Sequence, residues 1–464
     1  MPVSPGPILP ADVTEHTLEK GLLETPAIWQ LLLLAAAIAA YVLFRPRGRR
    51  ARVTPRASVA SRLVIIAALA GLAGVFWLND YVGYVRTPHD LAILMQRGTG
   101  WTVNAGRGLA DVTAPDDEYI DHARTQLDTA RGGAPADNRL HIMRISIPDG
   151  VRGVPGGPAN VMLPPGYEDP RNAGRRYPVV YLIHGYPAGS SDDWFTAGDA
   201  LNTMQDLLSD KLVQPMIVVA PDMTAGQPAT DWECLNVPGG PQLEDYLVST
   251  VVPAIDHQFR TVADRSHRAL GGMSGGGYCA LNIGLKHLKS FGSLLITLPY
   301  DSLGDSAGIL AGHPNLIAPN TPATYIPKMA FPYSVSVIIA TGKSAPTDVT
   351  TTYRMANALA ARGQRVAVHL EPGMTHTWRA ARAALPYLLA FANQEFSAPP
   401  GSVNTVPAGS VHVAPPSPPT GRPLVVGKPT TVALPPVPPP NHGSGKPLRH
   451  VGSRKLTGVG RGIG

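Results

Sequence analysis

The sequence predicts an α/β protein with a mostly parallel sheet, preceded by a two-helix transmembrane hairpin and followed by a disordered proline-rich tail. Three observations support this prediction. Two long uncharged runs lie near the start, short apolar strand-like runs alternate with helical patterns in the middle, and both patterns stop after Phe396. With 464 residues, 44% of them hydrophobic, the chain can bury a large core.

Charge is distributed unevenly around the net value of +6. Seven arginines lie between residues 45 and 62, and residues 397–464 hold seven basic residues and no acidic one. The positive charge of these two segments together exceeds the net charge of the whole chain. The rest of the chain therefore carries a net negative charge. The basic balance therefore does not indicate nucleic-acid binding. The two cysteines exclude a disulfide-dense scaffold and an all-cysteine zinc site.

The first two helices are predicted within residues 27–78, where Ala27–Phe44 and Leu63–Leu78 contain no charge. A bilayer core needs about 17–25 apolar residues in a helix. The arginine-rich loop 45–62 is expected to stay on the cytoplasmic side, which places residues 1–26 and the chain after Leu78 outside the cytoplasm. A buried hairpin in a soluble protein, or a signal peptide, remains open as an alternative.

Residues 79–137 lack a clear period and are assigned to a juxtamembrane connector, whereas residues 138–396 are assigned to the α/β domain. Apolar residues at every fourth position from Leu243 to Phe259 predict a helix in that domain. The strand-like runs are His141–Ile147, Val179–Ile183, Met216–Ala220, Ala269–Met273, Leu294–Leu298, Val335–Ala340 and Arg365–Leu370.

The remaining segment, residues 397–464, contains fifteen prolines and ends in a Gly/Arg/Lys-rich stretch. Such a composition cannot bury enough apolar surface to offset the entropy of ordering, so we expect an extended, disordered tail. The tail either attaches to an anionic component of the cell envelope or to a protein partner, or it has no specific role.

A candidate nucleophile lies in Gly272–Gly276, which matches G-x-S-x-G around Ser274. A strand-like run ends at Met273, and a helical run, Tyr278–His287, follows. Strand, tight turn and helix form the nucleophile elbow of α/β-hydrolases, in which glycines permit the strained turn that exposes the serine. The alternative is a glycine-rich structural turn.

A serine hydroxyl needs a base that is held by an acid. In α/β-hydrolases the chain order is Ser, acid, His. His376 lies in a glycine-containing loop after the last strand-like run and is the predicted base. Asp348 follows the run Val335–Ala340 and is the predicted acid, with Asp301 and Asp305 as alternatives.

Two backbone N–H groups are expected to form the oxyanion hole, those of Gly275 and Tyr186. The neighbouring His184 is expected to be structural rather than a second base. The sequence contains no metal-binding motif, and the glycine-rich segment 271–277 lacks the G-K-[ST] ending of a phosphate loop. We therefore expect no metal and no cofactor.

The two cysteines, Cys234 and Cys279, both fall in the part assigned to the outside, where disulfides persist. If the elbow helix presents Cys279 towards the loop that contains Cys234, a bridge closes a loop of about 45 residues. The alternative is two separate thiols, with Cys279 acting as a small core residue.

Several of these segments resemble one family. The strand and loop Tyr177–Gly185, the elbow Gly272–Gly276, the loop Gly342–Asp348 and the loop Gly373–Trp378 are similar to those of the esterase D / mycolyltransferase group of α/β-hydrolases, over about residues 138–396. The segment Asn79–Tyr84 after a membrane hairpin resembles membrane-anchored esterase-family proteins of actinobacteria. The resemblance implies an α/β-hydrolase fold and carboxylic-ester hydrolysis or acyl transfer, including mycolyl transfer onto trehalose.

Two functions from different classes follow. The first is a membrane-anchored serine esterase or acyltransferase in the cell membrane, with an extracytoplasmic catalytic domain, an acyl-ester or glycolipid substrate, and contacts to membrane lipid. The second is a non-catalytic α/β-hydrolase-like module that binds or scaffolds the envelope. Hydrolase and transferase share an acyl-Ser274 intermediate, so the sequence leaves that choice open.

Overall fold

The computed structural model describes residues 2–45, 56–95 and 139–398. The centre of the predicted basic loop, most of the predicted connector and nearly all of the proline-rich tail lie outside the described residues.

Nine strands form one sheet in the order β1-β9-β8-β7-β6-β4-β5-β3-β2. All neighbouring pairs are parallel except β2–β3 and β3–β5, which are antiparallel. The strands are β1 (Ser4–Pro5), β2 (His141–Ser146), β3 (Pro158–Leu163), β4 (Val179–Ile183), β5 (Ile217–Pro221), β6 (Arg268–Met273), β7 (Ser293–Thr297), β8 (Ser336–Gly342) and β9 (Arg365–Glu371).

The α-helices cover the two faces of this sheet or extend away from it. The helices are α1 (Ala11–Leu18), α2 (Pro26–Phe44), α3 (Arg56–Val82), α4 (Ala200–Ser209), α5 (Leu243–Tyr246), α6 (Val252–Gln258), α7 (Gly275–Lys286), α8 (Pro322–Tyr325), α9 (Pro346–Ala361) and α10 (Trp378–Phe396). A π-helical turn, Leu247–Val251, joins α5 to α6, so the predicted helix Leu243–Phe259 is one continuous helical segment with a local distortion.

Strand β4 shows why the central strands are apolar along their whole length. Val179 and Tyr181 belong to one core cluster, together with residues of α7 and α9. Val180 and Leu182 belong to a second cluster, together with residues of α4 and α10. Successive side chains of a strand point to opposite faces, so a sheet covered on both faces needs apolar residues at every position. The predicted α/β architecture with a mostly parallel sheet is confirmed.

The helices α2 and α3 stand apart from this core. They pack along each other, and by length and composition both are able to cross a membrane. Most of their side chains are exposed, including Leu31, Leu34 and Val64. The second helix extends beyond the predicted run and ends at Val82. The two apolar helices that the sequence predicted are therefore present.

The N-terminal segment, predicted to be separate from the α/β domain, is part of the sheet and the core. Ser4 of β1 pairs with Ala367 of β9 in parallel register. Val13 of α1 is 1% exposed and belongs to the second core cluster. A strand of two residues carries no alternating pattern, so this contact could not be predicted from sequence periodicity.

Candidate active site

The turn between β6 and α7 presents Ser274 in an unusual backbone conformation, with φ 55° and ψ −117°. Non-glycine residues seldom adopt positive φ, and such strain is common at functional sites. The flanking glycines permit the turn. A Cβ on Gly272 would lie 2.2 Å from the carbonyl oxygen of Gly276, and a Cβ on Gly276 would lie 2.3 Å from the carbonyl oxygen of His184. The G-x-S-x-G spacing therefore reflects close backbone approach on both sides of the serine.

Three side chains from different elements meet at the carboxyl ends of the parallel strands. His376, in the loop after β9, lies with Nε2 2.9 Å from the Ser274 hydroxyl oxygen. Its Nδ1 lies 2.6 Å from Oδ2 of Asp348, which sits in the first turn of α9 after β8. The structure thus brings together the three residues that the sequence singled out as nucleophile, base and acid.

The two alternative acids occupy other positions. Asp301 accepts two hydrogen bonds from the guanidinium of Arg354, at 2.6 and 2.9 Å. Asp305 is exposed on a 3-10 helix, Gly304–Leu310. Of the three carboxylates considered, only Asp348 has a hydrogen bond to His376 among the described residues.

His184 is held inside the fold rather than presented to a substrate. It is 8% exposed, and its Nε2 accepts a hydrogen bond of 2.9 Å from the Met223 N–H. Its Nδ1 lies 2.9 Å from the carbonyl oxygen of Gly185, which fixes the tautomer with the proton on Nδ1. These contacts agree with a structural role.

The two N–H groups expected to form an oxyanion hole lie close together beside Ser274. Gly275 begins α7, and a Cβ built on it would lie 3.7 Å from the backbone nitrogen of Tyr186. Within the described parts of the chain, neither N–H donates a hydrogen bond to another protein group. Both donors are therefore free to meet negative charge that develops next to Ser274.

A disulfide joins Cys234 to Cys279, the first on the loop before α5 and the second on α7. Glu233 and Cys234 both have positive φ, of 48° and 50°. The bridge thus ties a strained pair of residues to the helix that begins at Gly275. Both sulfur-bearing residues are buried.

A cavity of about 330 Å³ opens beside Ser274. Its polar side chains are Tyr186, Asp231, Glu233, Tyr300, Ser302 and Ser306. Burial, together with the neighbouring Asp231 carboxyl, raises the pKa of Glu233 to about 8. Burial also raises the pKa of Asp231. Neither carboxyl was predicted from the sequence, because their burial depends on residues of the loop after β7, such as Tyr300 and Ser306. The one local signal is their position beside Cys234.

The loop that carries His376 also contacts the end of α3. The hydroxyl of Tyr81 lies 3.0 Å from the hydroxyl of Thr375, and Arg379 donates a hydrogen bond of 2.6 Å to the carbonyl oxygen of Asp80. One of the two apolar helices therefore ends directly against the segment that holds the candidate base.

Metal binding has no support in the part of the chain that the structure describes, since no group of three or more His, Cys, Asp or Glu side chains there could hold an ion. The site as described consists of a serine, an imidazole, a carboxylate and backbone donors. These are the groups that acyl transfer through a serine requires.

Comparisons with known proteins find esterases among the relatives of this chain. The chain is 36% identical over 135 residues to Esterase Rv1288 of Mycobacterium tuberculosis, which is 29% of this chain and 27% of that protein. It is 34% identical over 137 residues to an endo-1,4-beta-xylanase/feruloyl esterase of Xylanibacter ruminicola, which is 29% of this chain and 18% of that protein. The chain thus spans about a quarter or less of the length of these relatives.

The fold comparison gives the same architecture. A solved ferulic acid esterase superposes with a TM-score of 0.50 and 22% sequence identity, covering 56% of this chain and all of that one. At this identity the likeness concerns the fold, which confirms the expected α/β-hydrolase architecture. The family model described as "Putative esterase" matches residues 158–393, just over half of the chain. The expected resemblance to esterase-type α/β-hydrolases is confirmed, and the chain belongs to this esterase family.

Proposed function

We propose that this protein is a membrane-anchored serine esterase or acyltransferase that acts on acyl esters at the outer face of the cell membrane. Family membership supports ester chemistry in general. The observation that carries the assignment of residues is the hydrogen-bonded chain from Ser274 through His376 to Asp348, at 2.9 and 2.6 Å.

In the proposed mechanism, His376 Nε2 takes the proton of the Ser274 hydroxyl as the oxygen attacks the ester carbonyl carbon. Asp348 keeps the other imidazole nitrogen protonated and stabilises the imidazolium that forms. The N–H groups of Gly275 and Tyr186 stabilise the oxyanion of the tetrahedral intermediate. His376 then returns the proton to the leaving alcohol, which departs and leaves acyl-Ser274.

The second half-reaction distinguishes hydrolase from transferase. In hydrolysis water attacks the acyl-Ser274 ester, and in transfer a hydroxyl of an acceptor such as a glycolipid attacks it. In both cases His376 removes the proton of the attacking group and returns it to Ser274. The hydrogen bonds from Ser274 to His376 and from His376 to Asp348 support either reaction over the non-catalytic scaffolding alternative. A scaffolding module does not require a base hydrogen-bonded to a serine in a strained backbone conformation.

The membrane assignment rests on two contacts of the described residues. Because β1 pairs with β9, residues 2–24 and the catalytic domain must lie on the same side of any membrane. The chain between them must therefore cross the membrane an even number of times, and α2 and α3 would account for two crossings. The contact between Tyr81 and Thr375 supports a site close to the membrane surface, where an acyl ester of a membrane lipid is within reach. We also propose that the basic tail contacts an anionic envelope component.

The test is Ser274→Ala, with Ser266→Ala as the matched control. Ser266 lies just before β6, at the amino end of the strand, whereas Ser274 follows its carboxyl end. We expect Ser274→Ala to lower kcat/KM for p-nitrophenyl esters by several orders of magnitude without lowering Tm, and Ser266→Ala to retain activity. Labelling of the wild-type protein by a fluorophosphonate, lost in Ser274→Ala, would identify the nucleophile directly. Wild-type activity in Ser274→Ala would contradict the proposal.

A further inference from the structure

The cavity beside Ser274 contains a buried carboxyl that the proposed mechanism does not use. Glu233 is 4% exposed, and its Oε1 accepts a hydrogen bond of 2.6 Å from the Tyr300 hydroxyl. Its Oε2 is buried and has no hydrogen-bond partner at bonding geometry among the described residues, although the Ser306 hydroxyl and the Asp231 carboxyl lie near enough to affect its pKa. A buried polar atom without a partner is costly, so this oxygen is available to a ligand.

The cavity is also acidic without a counter-charge from the protein. Asp231 lines it and accepts a hydrogen bond of 3.0 Å from the Ser306 hydroxyl. Among the described residues that line the cavity, none is Lys, Arg or His. Burial raises the pKa of both Asp231 and Glu233, as expected for two carboxyls that no cation compensates.

We propose that this cavity binds an ammonium group carried by the acyl portion of the ester substrate, with Glu233 and Asp231 as its partners. An ammonium supplies the missing positive charge and the N–H donors that Oε2 of Glu233 lacks. The rings of Tyr186 and Tyr300, which also line the cavity, offer cation–π contacts. The proposal rests on the proposed esterase function and specifies its substrate class.

The lining places the ammonium on the acyl side rather than on the alcohol side. Ser274, Gly275 and Tyr186 border the cavity, whereas His376 is not among the described residues that line it. The leaving alcohol must receive its proton from His376 and so departs on the histidine side. The cavity therefore faces the other substituent of the carbonyl carbon, which is the acyl group. An unbranched alkyl acyl chain has little to contact here, since Leu303 is the only aliphatic side chain in the lining that the structure describes.

The position of Glu233 is fixed by the backbone. It has positive φ, the disulfide of the adjacent Cys234 ties it to α7, and Tyr300, which bonds it, stacks on Tyr278 with ring centroids 5.3 Å apart. A carboxyl held in this way needs no rearrangement to meet a ligand. Preorganisation of this kind is expected of a group that selects substrates.

The experiment compares two p-nitrophenyl esters of equal chain length, hexanoate and 6-aminohexanoate, at about pH 8.5. At that pH an alkyl amine is still protonated, whereas Glu233, with its pKa of about 8, is mostly ionised. We expect the wild type to prefer the ammonium ester in kcat/KM by about tenfold, and Glu233→Gln and Asp231→Asn to lose most of that preference. The control is Asp305→Asn, which removes one negative charge from a neighbouring exposed position outside the cavity. It should keep the wild-type ratio.

The outcomes separate the substrate class from the esterase function. Absence of turnover of both esters by the wild type would contradict the esterase function itself. Turnover without a preference, or an equal preference in the wild type and both variants, would contradict the ammonium site only. A preference for hexanoylcholine over its neutral 3,3-dimethylbutyl analogue that both variants lose would place the ammonium on the alcohol side and overturn the acyl assignment. If Glu233→Gln lowers Tm strongly, Asp231→Asn, at a less buried position, decides the question.

Discussion

The two aspartates considered as the catalytic acid, Asp348 and Asp301, bond to different side chains. Substitution of each by asparagine is therefore expected to have a different effect on activity. Asp348 bonds the imidazole of His376, whereas Asp301 bonds the guanidinium of Arg354. We expect Asp348→Asn to lower kcat/KM by several orders of magnitude, because an amide stabilises neither the required tautomer nor the imidazolium. Asp301 is buried and, of these two partners, bonds only Arg354, so Asp301→Asn should lower stability but leave most of the activity. Steady-state kinetics on both variants checks the ranking, and the reverse order would move the acid to the loop after β7.

Glu233 should make stability depend on pH. Its pKa in the folded protein, raised to about 8 by burial and then by Asp231, exceeds its ordinary value of 4.5. The folded state therefore binds a proton more tightly than the unfolded state, and stability falls as pH rises from about 4.5 to 8. The titratable groups facing it are Asp231 and Tyr300, while the Ser306 hydroxyl is also near. The Tm of Glu233→Gln, measured from pH 5 to 9, should show a smaller decline than that of the wild type. Parallel curves would show that Glu233 does not titrate in this range.

Residues at the site were predictable to the extent that their signals are local. Ser274 was identified by its flanking glycines, and His376 and Asp348 by their order after successive strands, since the carboxyl ends of parallel strands share one edge of the sheet. Glu233 was not identified. Its significance comes from burial against Tyr300, which is 67 residues away in the chain.

Elements of the central sheet were predictable for a related reason. Strand β4 was predicted with its observed bounds because both of its faces are buried and the apolar run is continuous. The strand β3 (Pro158–Leu163) was missed, because a proline begins it and the polar Asn160 interrupts it. Its antiparallel pairing with β5 and β2 depends on partners that a short segment does not reveal.

The N-terminal segment is held to the catalytic domain by a buried ion pair. Glu24 and Arg382 are each 0% exposed and lie 3.0 Å apart, and Arg382 also donates to the backbone oxygens of Thr17 and Ala197. Removing one partner of a buried pair typically costs about 3–5 kcal/mol, because the remaining charge is left uncompensated. We expect a loss of this size in Glu24→Ala by urea unfolding. The exposed Glu19 provides the control, and equal stability of Glu19→Ala and Glu24→Ala would show that the pair contributes nothing.

The disulfide predicts a chemical result. Because Cys234 and Cys279 are joined and the chain has only two cysteines, thiol labelling of the denatured, unreduced protein should find no free thiol. Closing a loop of 45 residues stabilises the folded state by roughly 4 kcal/mol in the chain-entropy model. Cys279→Ser should therefore lower the midpoint of urea unfolding, and reductant should shift the wild type in the same direction. Two labelled thiols per chain would contradict the bridge.

The whole molecule combines a catalytic domain with two exposed apolar helices that enter and leave on the same side of it. Residues 2–24 precede α2, and residues 79–95 follow the apolar part of α3, yet both contact α10 through Arg382 and Arg379. A cleaved signal sequence ending at α2 would remove β1, α1 and the partner of Arg382. We therefore propose that both helices are retained.

Topology follows from this arrangement and is the prediction that concerns the complete chain. If α2 and α3 both cross the membrane, the segment 45–62 lies opposite to residues 2–24 and to the catalytic domain. Its seven arginines predict a cytoplasmic position for that segment. An alkaline phosphatase reporter, active only outside the cytoplasm, should be active when fused after Phe396 and inactive when inserted at Arg49. A protease added to intact spheroplasts should remove an N-terminal tag but spare a tag at Arg49. Cleavage at Arg49 with protection of both ends would invert the orientation, whereas different accessibility of the N-terminus and the catalytic domain would contradict the two crossings, because β1 and β9 could not then share one sheet.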